Sequence, residues 1–301
     1  MDVSVVIINY NTCQMTQECI DSVFEKTSGI TFEVILMDNA SKDGSKEHFE
    51  KDSRIKYIYS YENLGFGRAN NVGMMAAKGD YIFLLNSDTL LVNNAIKMLY
   101  DYASTHNHLA FYGGWLYSRE MFHTTSYGHF KTLKSSLHDF VAPYVKWLPG
   151  MKSWRIKNNA EFWEKAFNNA GEAKEVDYVT GADMFFHRDV IEKTGWFDHR
   201  FFMYAEEMDW QRRAAGHGVA RIIVKGPQIQ HLQGSANKPG QKPKVNRLLW
   251  QGNRIYMRKW YGGTCYFLYR IMGFLLEAPV MLLIPIYPFK DRIKYIGWML
   301  K

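Results

Sequence analysis

The chain is poor in the features that mark several protein classes. Of its 301 residues only three are cysteine (Cys13, Cys19 and Cys265). They are odd in number and show no C-x-x-C spacing, which argues against a disulfide framework and a cysteine-based zinc site and fits a reducing compartment. Met1-Asp2-Val3-Ser4 carries no basic residue, and the apolar run behind it is too short for a signal peptide. No apolar run reaches the ~20 residues a membrane-spanning helix needs; the longest uncharged stretch near the C-terminus, Ala278 to Phe289, has 12. No zinc-finger, homeodomain or RNP-type pattern is present, so nucleic acid is not the expected partner. There is no internal repeat and no low-complexity tract. The loop after the first strand pattern, Asn9-Tyr10-Asn11-Thr12, holds no glycine. That weighs against a dinucleotide-dependent oxidoreductase, which needs G-x-G-x-x-G there, and against a sugar-phosphate nucleotidyltransferase, the nearest enzyme rival.

What is present is a globular composition, 47% apolar and 22% charged, enough to build a packed core. Acidic residues are scarce at one end. From Gln241 to Lys301 eleven Lys/Arg face two Asp/Glu, while the other 240 residues are close to neutral. The basicity of the chain (net +7) therefore belongs to its C-terminal segment, which points to an anionic partner such as a membrane surface.

The first half alternates short apolar runs with helical patterns. Strands are expected at Val3–Ile8, Phe32–Met37, Ile55–Tyr59 and Tyr81–Leu85, and helices after Asn11 or Thr12 and around residues 45–51, 67–78 and 93–105. Near-continuous apolar strands between helices imply a parallel sheet covered on both faces. Ligands of such sheets bind beyond the carboxyl ends of the strands. The residues that follow each strand are polar: Asn9-Tyr10-Asn11, then Asp38-Asn39-Ala40-Ser41, then Glu62-Asn63-Leu64-Gly65, then Asn86-Ser87-Asp88. Any one of these is explained as an ordinary turn; four at one sheet edge are better explained as a cleft. The region from Gly113 to Lys174 reads as hairpin and insertion structure with a turn at Trp147–Gly150, Val219–Val224 as a further strand, and Gly234–Pro243 as a mobile loop.

Four groups have the chemistry for a site. Asp38 can accept from the ring N–H of a nucleobase, with an Asx turn or helix cap as the favoured alternative. Asp88 suits a hard divalent cation bridging to a diphosphate, and His231 is a candidate second ligand, though a lone histidine is more often structural. Glu206, Glu207 and Asp209 lie within four residues at the start of a helical pattern, behind Phe201-Phe202-Met203-Tyr204. Helix-dipole complementation and ion pairs to Arg212 or Arg213 explain one or two of these acids. The aromatic run would bury the others and raise a carboxyl pKa, the mark of a general base.

Taken together, the blocks Val5–Asn11, Asp38–Ser45, Asn63–Asn71, Asn86–Asp88, Thr180–Met184, Phe201–Asp209 and His231–Ser235 resemble the family-2 glycosyltransferases of the GT-A fold. The likeness is strongest to the rhamnosyltransferase-like branch that builds bacterial surface polysaccharides. The resemblance implies an α/β fold, a Rossmann-like nucleotide-sugar domain over residues 1–235. Its donor half would end near residue 112, its acceptor half would follow, and a helical, amphipathic segment would occupy 236–301. It implies Asn9, Asn11, Asp38, Asn63, Gly65, Phe66, Asn70, Asn86, Ser87, Asp183 and Glu206 around the nucleotide-sugar. It implies Asp88 and His231 on a Mn²⁺ or Mg²⁺ ion, and Glu207 as catalytic base of an inverting transfer. The donor would be a UDP- or TDP-sugar, and the acceptor a glycan or a polyprenyl-diphosphate-linked glycan. Asn86 stands where the family's Asp-x-Asp has its first acid, and Glu207 where many members have Asp.

The C-terminal segment, apolar and aromatic from Thr264 to Phe289 with basic flanks, is expected to lie on the inner face of the cell membrane without crossing it, on an otherwise cytoplasmic protein. Packing on the catalytic domain, or on a second copy in a homodimer, is the competing reading. A non-catalytic polysaccharide-binding protein is the remaining alternative for the whole chain, and the three clustered acids count against it.

Overall fold

The computed structural model describes residues 1–145, 161–232, 242–283 and 288–300. The expected turn at Trp147–Gly150 and most of the expected loop at Gly234–Pro243 lie outside them. Four strands, β1 (Val3–Asn9), β2 (Phe32–Asp38), β3 (Ile55–Tyr59) and β4 (Tyr81–Asn86), are all parallel and ordered β3-β2-β1-β4. Between them run α1 (Cys13–Lys26), α2 (Ser45–Phe49) and α3 (Phe66–Ala76). Every residue of β1 is buried except half-buried Ile8, as expected of a strand covered on both faces.

The sheet continues through β10 (Asp183–His187), which is antiparallel to β4 and to β6 (Ala110–Tyr117). Beyond β6 comes β11 (Ala220–His231), parallel to β6, and then β5 (Thr89–Leu91) at the edge, antiparallel to β11. The short β8 (Ala173–Glu175) also pairs with β11, and β7 (Tyr127–Gly128) pairs with β9 (Tyr178–Val179) in a separate ribbon. The remaining helices are α4 (Ala95–Thr105), α5 (Leu133–Val145), α6 (161–168), α7 (Asp189–Thr194), α8 (Glu206–Ala215), α9 (Lys242–Leu283) and α10 (Phe289–Leu300). The result is a mostly parallel mixed sheet with helices on both faces and a helical C-terminal part.

The alternation of the strands divides the core in two. Val5, Ile7, Leu36 and Phe83 meet Cys19, Ile20 and Val23 of α1 and Ile96 and Leu99 of α4. Val6, Ile35, Leu84 and Phe111 meet Met74 of α3, Val190 of α7 and Trp210 of α8. The side-chain period of two along a strand forces this division.

Three sequence expectations are corrected. First, Gly113 and Gly114 do not open an insertion; they sit in the fully buried strand β6. A side chain at Gly113 would crowd Ile223 and Val179 at 3.3 Å, and one at Gly114 would crowd Pro227 at 3.0 Å. The pair weakens the strand pattern in sequence because neighbours occupy the space of the side chains. Second, a division near residue 112 falls inside β6, so both halves share one sheet. Third, the strand expected at Val219–Val224 extends to His231, through a register shift between Ile223 and Gln228.

The C-terminal part is a helical hairpin. Gly262, at φ 74 and ψ −174, interrupts α9, and the chain turns back on itself. Trp250 then stacks on Tyr269 at 5.1 Å, and Arg254 donates to the Tyr266 hydroxyl at 2.7 Å. Trp250 lies so close over Gly273 that a Cβ there would overlap its ring. A third apolar cluster joins Trp250, Tyr256, Met257 and Tyr269 of α9, Tyr295 and Met299 of α10 and Phe140 of α5. Phe201, Ala205 and Met208 complete it from the other side. One face of the C-terminal segment therefore packs on the catalytic part. Phe274 and Leu276 join that packing, whereas Phe267, Leu268, Ile271 and Leu275 are exposed. Among the described residues no helix is long and apolar enough to cross a membrane.

Glu277 is half-buried between α9 and α10 and accepts from the Tyr295 hydroxyl of α10 at 3.1 Å. Burial pushes its carboxyl up to about 7, with the Tyr295 bond opposing. The folded state therefore holds this proton more tightly than the unfolded chain. Its stabilising effect is complete below the ordinary glutamate value of 4.5 and is lost as pH rises to about 7. Glu277→Gln should raise the melting temperature at pH 7.5 relative to the native protein, by several degrees, and flatten its fall between pH 5 and 7.5. Thermal melts of both proteins across that window check it; parallel curves would refute it.

Candidate active site

All the parallel strands end at one edge, and the register places their tips side by side. Asn9 pairs with Asp38, Ile8 with Asn86, and Asp183, which opens antiparallel β10, with Leu85. The polar loops that follow the strands meet there because the topology leaves them no other exit.

The tips of β1 and β2 form a closed polar knot. Asp38 is fully buried. One of its oxygens accepts from the Ser41 amide at 2.8 Å, and the other from the Asn9 side-chain amide and the Tyr57 hydroxyl at 3.2 Å each. The Asn9 carbonyl oxygen accepts from the Thr12 amide and from the hydroxyls of Thr12 and Thr16. Asp38 and Asn9, expected at the nucleotide-sugar, lie under the loops and shape them here, and the Asp38 bond to the Ser41 amide is a capping contact of the kind that was its alternative reading. Asp183 is likewise fully buried, accepting from the Gly114 amide at 2.7 Å, and burial pushes its carboxyl well above the usual range. Asn70 is buried too and donates to the Phe66 carbonyl within its own helix. These four fall behind the cleft because strand tips and first helical turns must satisfy their own backbone before they can serve a ligand.

Asn11, Asn63, Phe66, Asn86, Ser87, Asp88, Glu207 and His231 remain partly exposed. Asn11 has φ 55 and accepts from the Lys42 amide at 2.7 Å. Ser87 bonds the Thr12 hydroxyl at 3.2 Å. Asn86 donates its amide to the Ala182 carbonyl at 3.0 Å, which brings the 180–182 loop against the tip of β4. The Asn63–Gly65 loop is held by a residue the sequence reading did not single out. Asn39 donates to Asn63 and to the Gly65 carbonyl, and accepts from the Leu64 amide at 2.7 Å. Asn71 does the same for the next segment, clamping both backbone groups of Phe197. Neither role has a sequence signal beyond the residue type.

The acid cluster resolves into three different environments. Asp209 is fully buried and consumed by two ion pairs, to Lys259 at 2.7 Å and Arg213 at 3.4 Å, and by a hydrogen bond from the Trp260 indole at 2.8 Å. Glu206 points inward, 2% exposed, with one carboxylate oxygen lacking a hydrogen-bond partner; its Cβ lies near Gly67 of α3. Burial, and then repulsion from Glu207, push its carboxyl well above the usual range. Glu207 is only half-buried and lies beside Gly181, which in turn touches the Phe66 ring. Burial raises its pKa as well. Of the three, Glu207 is the acid with access to the cleft.

Tyr204 and Ala205, both at φ 71, lead into this helix. Left-handed backbone at a non-glycine residue costs about 1–2 kcal/mol. The Tyr204 hydroxyl is pushed up by burial and then by the charges of Glu206, Glu207 and Asp88.

Asp88 and His231 meet because β5 pairs with β11, aligning His231 with Thr89. The imidazole Nε2 is 3.3 Å from a carboxylate oxygen of Asp88. Among the described residues no group of three His, Cys, Asp or Glu surrounds one point. One carboxylate and one imidazole fit a divalent cation that completes its shell with substrate oxygens and water, and they suit Mn²⁺ better than Mg²⁺.

The mixed sheet thus gathers its polar loops at one edge, with a carboxylate–imidazole pair, Asp88 and His231, and a raised carboxyl, Glu207, among them. The chain belongs to glycosyl transferase family 2, whose profile matches residues 4–193. That match stops short of Glu206, Glu207 and His231. Similar curated proteins include glycosyltransferase GlyG of Streptococcus pneumoniae serotype 4, 33% identical over 102 residues (33% of this chain, 34% of that protein). An uncharacterized glycosyltransferase of Haemophilus influenzae is 30% identical over 118 residues (38% and 36%). One of Methanocaldococcus jannaschii is 28% identical over 120 residues (38% and 41%). The chain thus spans between about a third and two-fifths of the length of these relatives.

Proposed function

We propose that the protein is an inverting glycosyltransferase that uses a nucleoside diphosphate-sugar, UDP- or TDP-linked as in the rhamnosyltransferase-like branch it resembles. The acceptor is a hydroxyl of a glycan or lipid-linked glycan in surface polysaccharide synthesis. The observation that carries this reading is the separation of the two acids. Glu206 is sealed in, while Glu207, with its carboxyl also raised, keeps exposed surface at the cleft beside Phe66 and Gly181.

Glu207 accepts the proton of the acceptor hydroxyl as that oxygen forms its bond to the anomeric carbon. The bond from this carbon to the diphosphate breaks on the opposite face, and the nucleoside diphosphate leaves. One displacement inverts the centre, and no nucleophile on the protein is required. Asp88 and His231 would hold a divalent cation, which when bound supplies positive charge to the leaving diphosphate. The Asn63–Gly65 loop and the Phe66 ring position the donor and keep water out.

Glu207→Gln keeps the shape and removes the base, so turnover should fall by about 10²-fold or more. Glu206→Gln keeps the shape of a residue sealed away from the cleft and should change turnover only a few-fold. In the native protein the acid limb of kcat/KM should lie above the ordinary glutamate range, because activity needs ionised Glu207 and its pKa is raised. Release of free nucleoside diphosphate measures all three; equal losses in the two variants would sink the assignment.

Asp88→Ala should abolish the gain in UDP or TDP affinity that Mn²⁺ produces. Calorimetry with Mn²⁺ and with EDTA decides it, and an affinity indifferent to both the metal and the substitution would remove the metal from the mechanism.

The exposed row of Phe267, Leu268, Ile271 and Leu275 on a basic helix supports peripheral attachment to an anionic membrane. Because the buried face of α9 holds the fold, truncation is a poor test and surface substitution a good one. Ser at positions 267, 271 and 275 should abolish co-sedimentation with anionic vesicles at low salt and leave the melting temperature unchanged. If the native chain ignores such vesicles, and the substitutions instead split a dimer, the row is a subunit interface.

A further inference from the structure

A cavity of about 430 Å³ lies between the segment that precedes α8 and the C-terminal hairpin. Its walls include Arg200, Met203, Gln251, Arg254, Arg258 and Tyr266, and among the described residues no acidic one lines it. Arg200 is held by Asp198, at 2.9 Å through Nε. Arg254 and Arg258 have no carboxylate within ion-pair distance among the described residues. The head group of Arg254 bonds only the neutral Tyr266 hydroxyl, at 2.7 and 3.2 Å. The guanidinium groups of Arg254, Arg258 and Arg270 each stand 5.8 Å from the centre of the Tyr266 ring. Arg254 and Arg258, one helical turn apart, both line the cavity, so an anion placed there is attracted by two charges.

The position of the cavity says which anion. Phe202 and Met203 form its wall on the catalytic side. The Phe202 carbonyl also accepts from the Phe66 amide at 2.8 Å, at the loop that leads into α3, and the chain reaches Glu207 within five residues. Gly252, on the opposite wall, touches the backbone of Met203 and Tyr204. A ligand in the cavity would touch Phe202 and Met203, in the segment that leads into the helix of Glu207. The same helix that carries Tyr266 bears exposed Phe267, Ile271 and Leu275 on its following turns.

We propose that this cavity binds the diphosphate group of the acceptor, with Arg254 and Arg258 as its anion ligands, and that the apolar row beyond Tyr266 takes a hydrocarbon chain attached to that diphosphate. Planar guanidinium groups match phosphate oxygens by paired hydrogen bonds. That the ligand is the acceptor rests on the glycosyl-transfer reading; that the cavity is an anion site does not.

The full chain, kept in EDTA at low salt to silence metal-dependent binding at Asp88, is titrated with inorganic pyrophosphate by calorimetry. The native protein should bind it. Arg254→Gln with Arg258→Gln should weaken binding at least tenfold, and Arg258→Gln alone, at an exposed position, several-fold with an unchanged melting temperature. Glu207→Gln should bind pyrophosphate normally while losing transfer, so failure of the catalytic reading and failure of the anion site give different results. Farnesyl diphosphate should displace pyrophosphate from the native protein. Absence of pyrophosphate binding, or binding indifferent to both arginines, overturns the site. Equal displacement by phosphatidylglycerol vesicles at matched phosphate would assign the cavity to a bilayer headgroup and overturn its role for the acceptor.

Discussion

The buried carboxylate of Asp209 is the joint on which the catalytic half and the C-terminal hairpin depend. Its side chain has no solvent exposure, and it gathers Lys259, the Trp260 indole and Arg213 around one charge. Removing one partner from a buried ion pair costs about 3–5 kcal/mol, because the other charge is left without compensation. Lys259 also reaches Asp198 at 2.8 Å, and Arg213 continues to the carbonyls of Thr194 and Trp196. Arg212, one residue earlier, donates to the hydroxyls of Tyr256 and Tyr261 and lies over the Trp260 ring at 4.5 Å. The helix that presents Glu207 is thus positioned by residues some fifty positions later in the chain.

Two glycines make the opposite contacts possible. Gly65, at φ 81 and ψ −176, sits so close to the Phe202 carbonyl that no side chain fits, and such backbone is essentially restricted to glycine. Gly252 in α9 lies equally close to the Tyr204 carbonyl. The segment 202–205 is therefore gripped between the donor-side loop and the C-terminal helix, backbone against backbone. This grip maintains two consecutive left-handed residues, Tyr204 and Ala205, and through them the direction in which Glu206 and Glu207 leave the helix start. A strained approach supported from both sides is a common way to preorganise a reactive group.

The polar residues at the sheet edge separate into those that make the cleft and those that face it. Asn9, Asp38, Ser41 and Asn39 spend their hydrogen bonds on one another and on loop amides. Asn63, Phe66, Ser87, Asp88 and Glu207 keep exposed surface. Sequence treats the two groups alike, because Asn, Asp and Ser serve turns and ligands equally well. Only burial distinguishes them.

Four of the five strands and the four helices of the first 105 residues were legible because their pattern is local; the three-residue edge strand β5 was not. β-Branched runs such as Val3–Ile8, and polar turn residues after each of them, report their environment through neighbours in sequence. The likeness to family-2 glycosyltransferases was legible for the same reason, as short blocks in a fixed order. What lay outside the reach of the sequence depends on residues far apart in the chain. Gly113 and Gly114 look like a break until Ile223 and Pro227 occupy the space beside them. Glu206, Glu207 and Asp209 look like one acidic cluster until α3, the Gly181 loop and α9 give them three different surroundings. The basic, apolar C-terminal segment looks like a single surface until Gly262 folds it and commits one face to the catalytic part. Periodicity and residue type determine which elements form; how much solvent each charged group keeps, and therefore what chemistry it can do, is decided when those elements close around it.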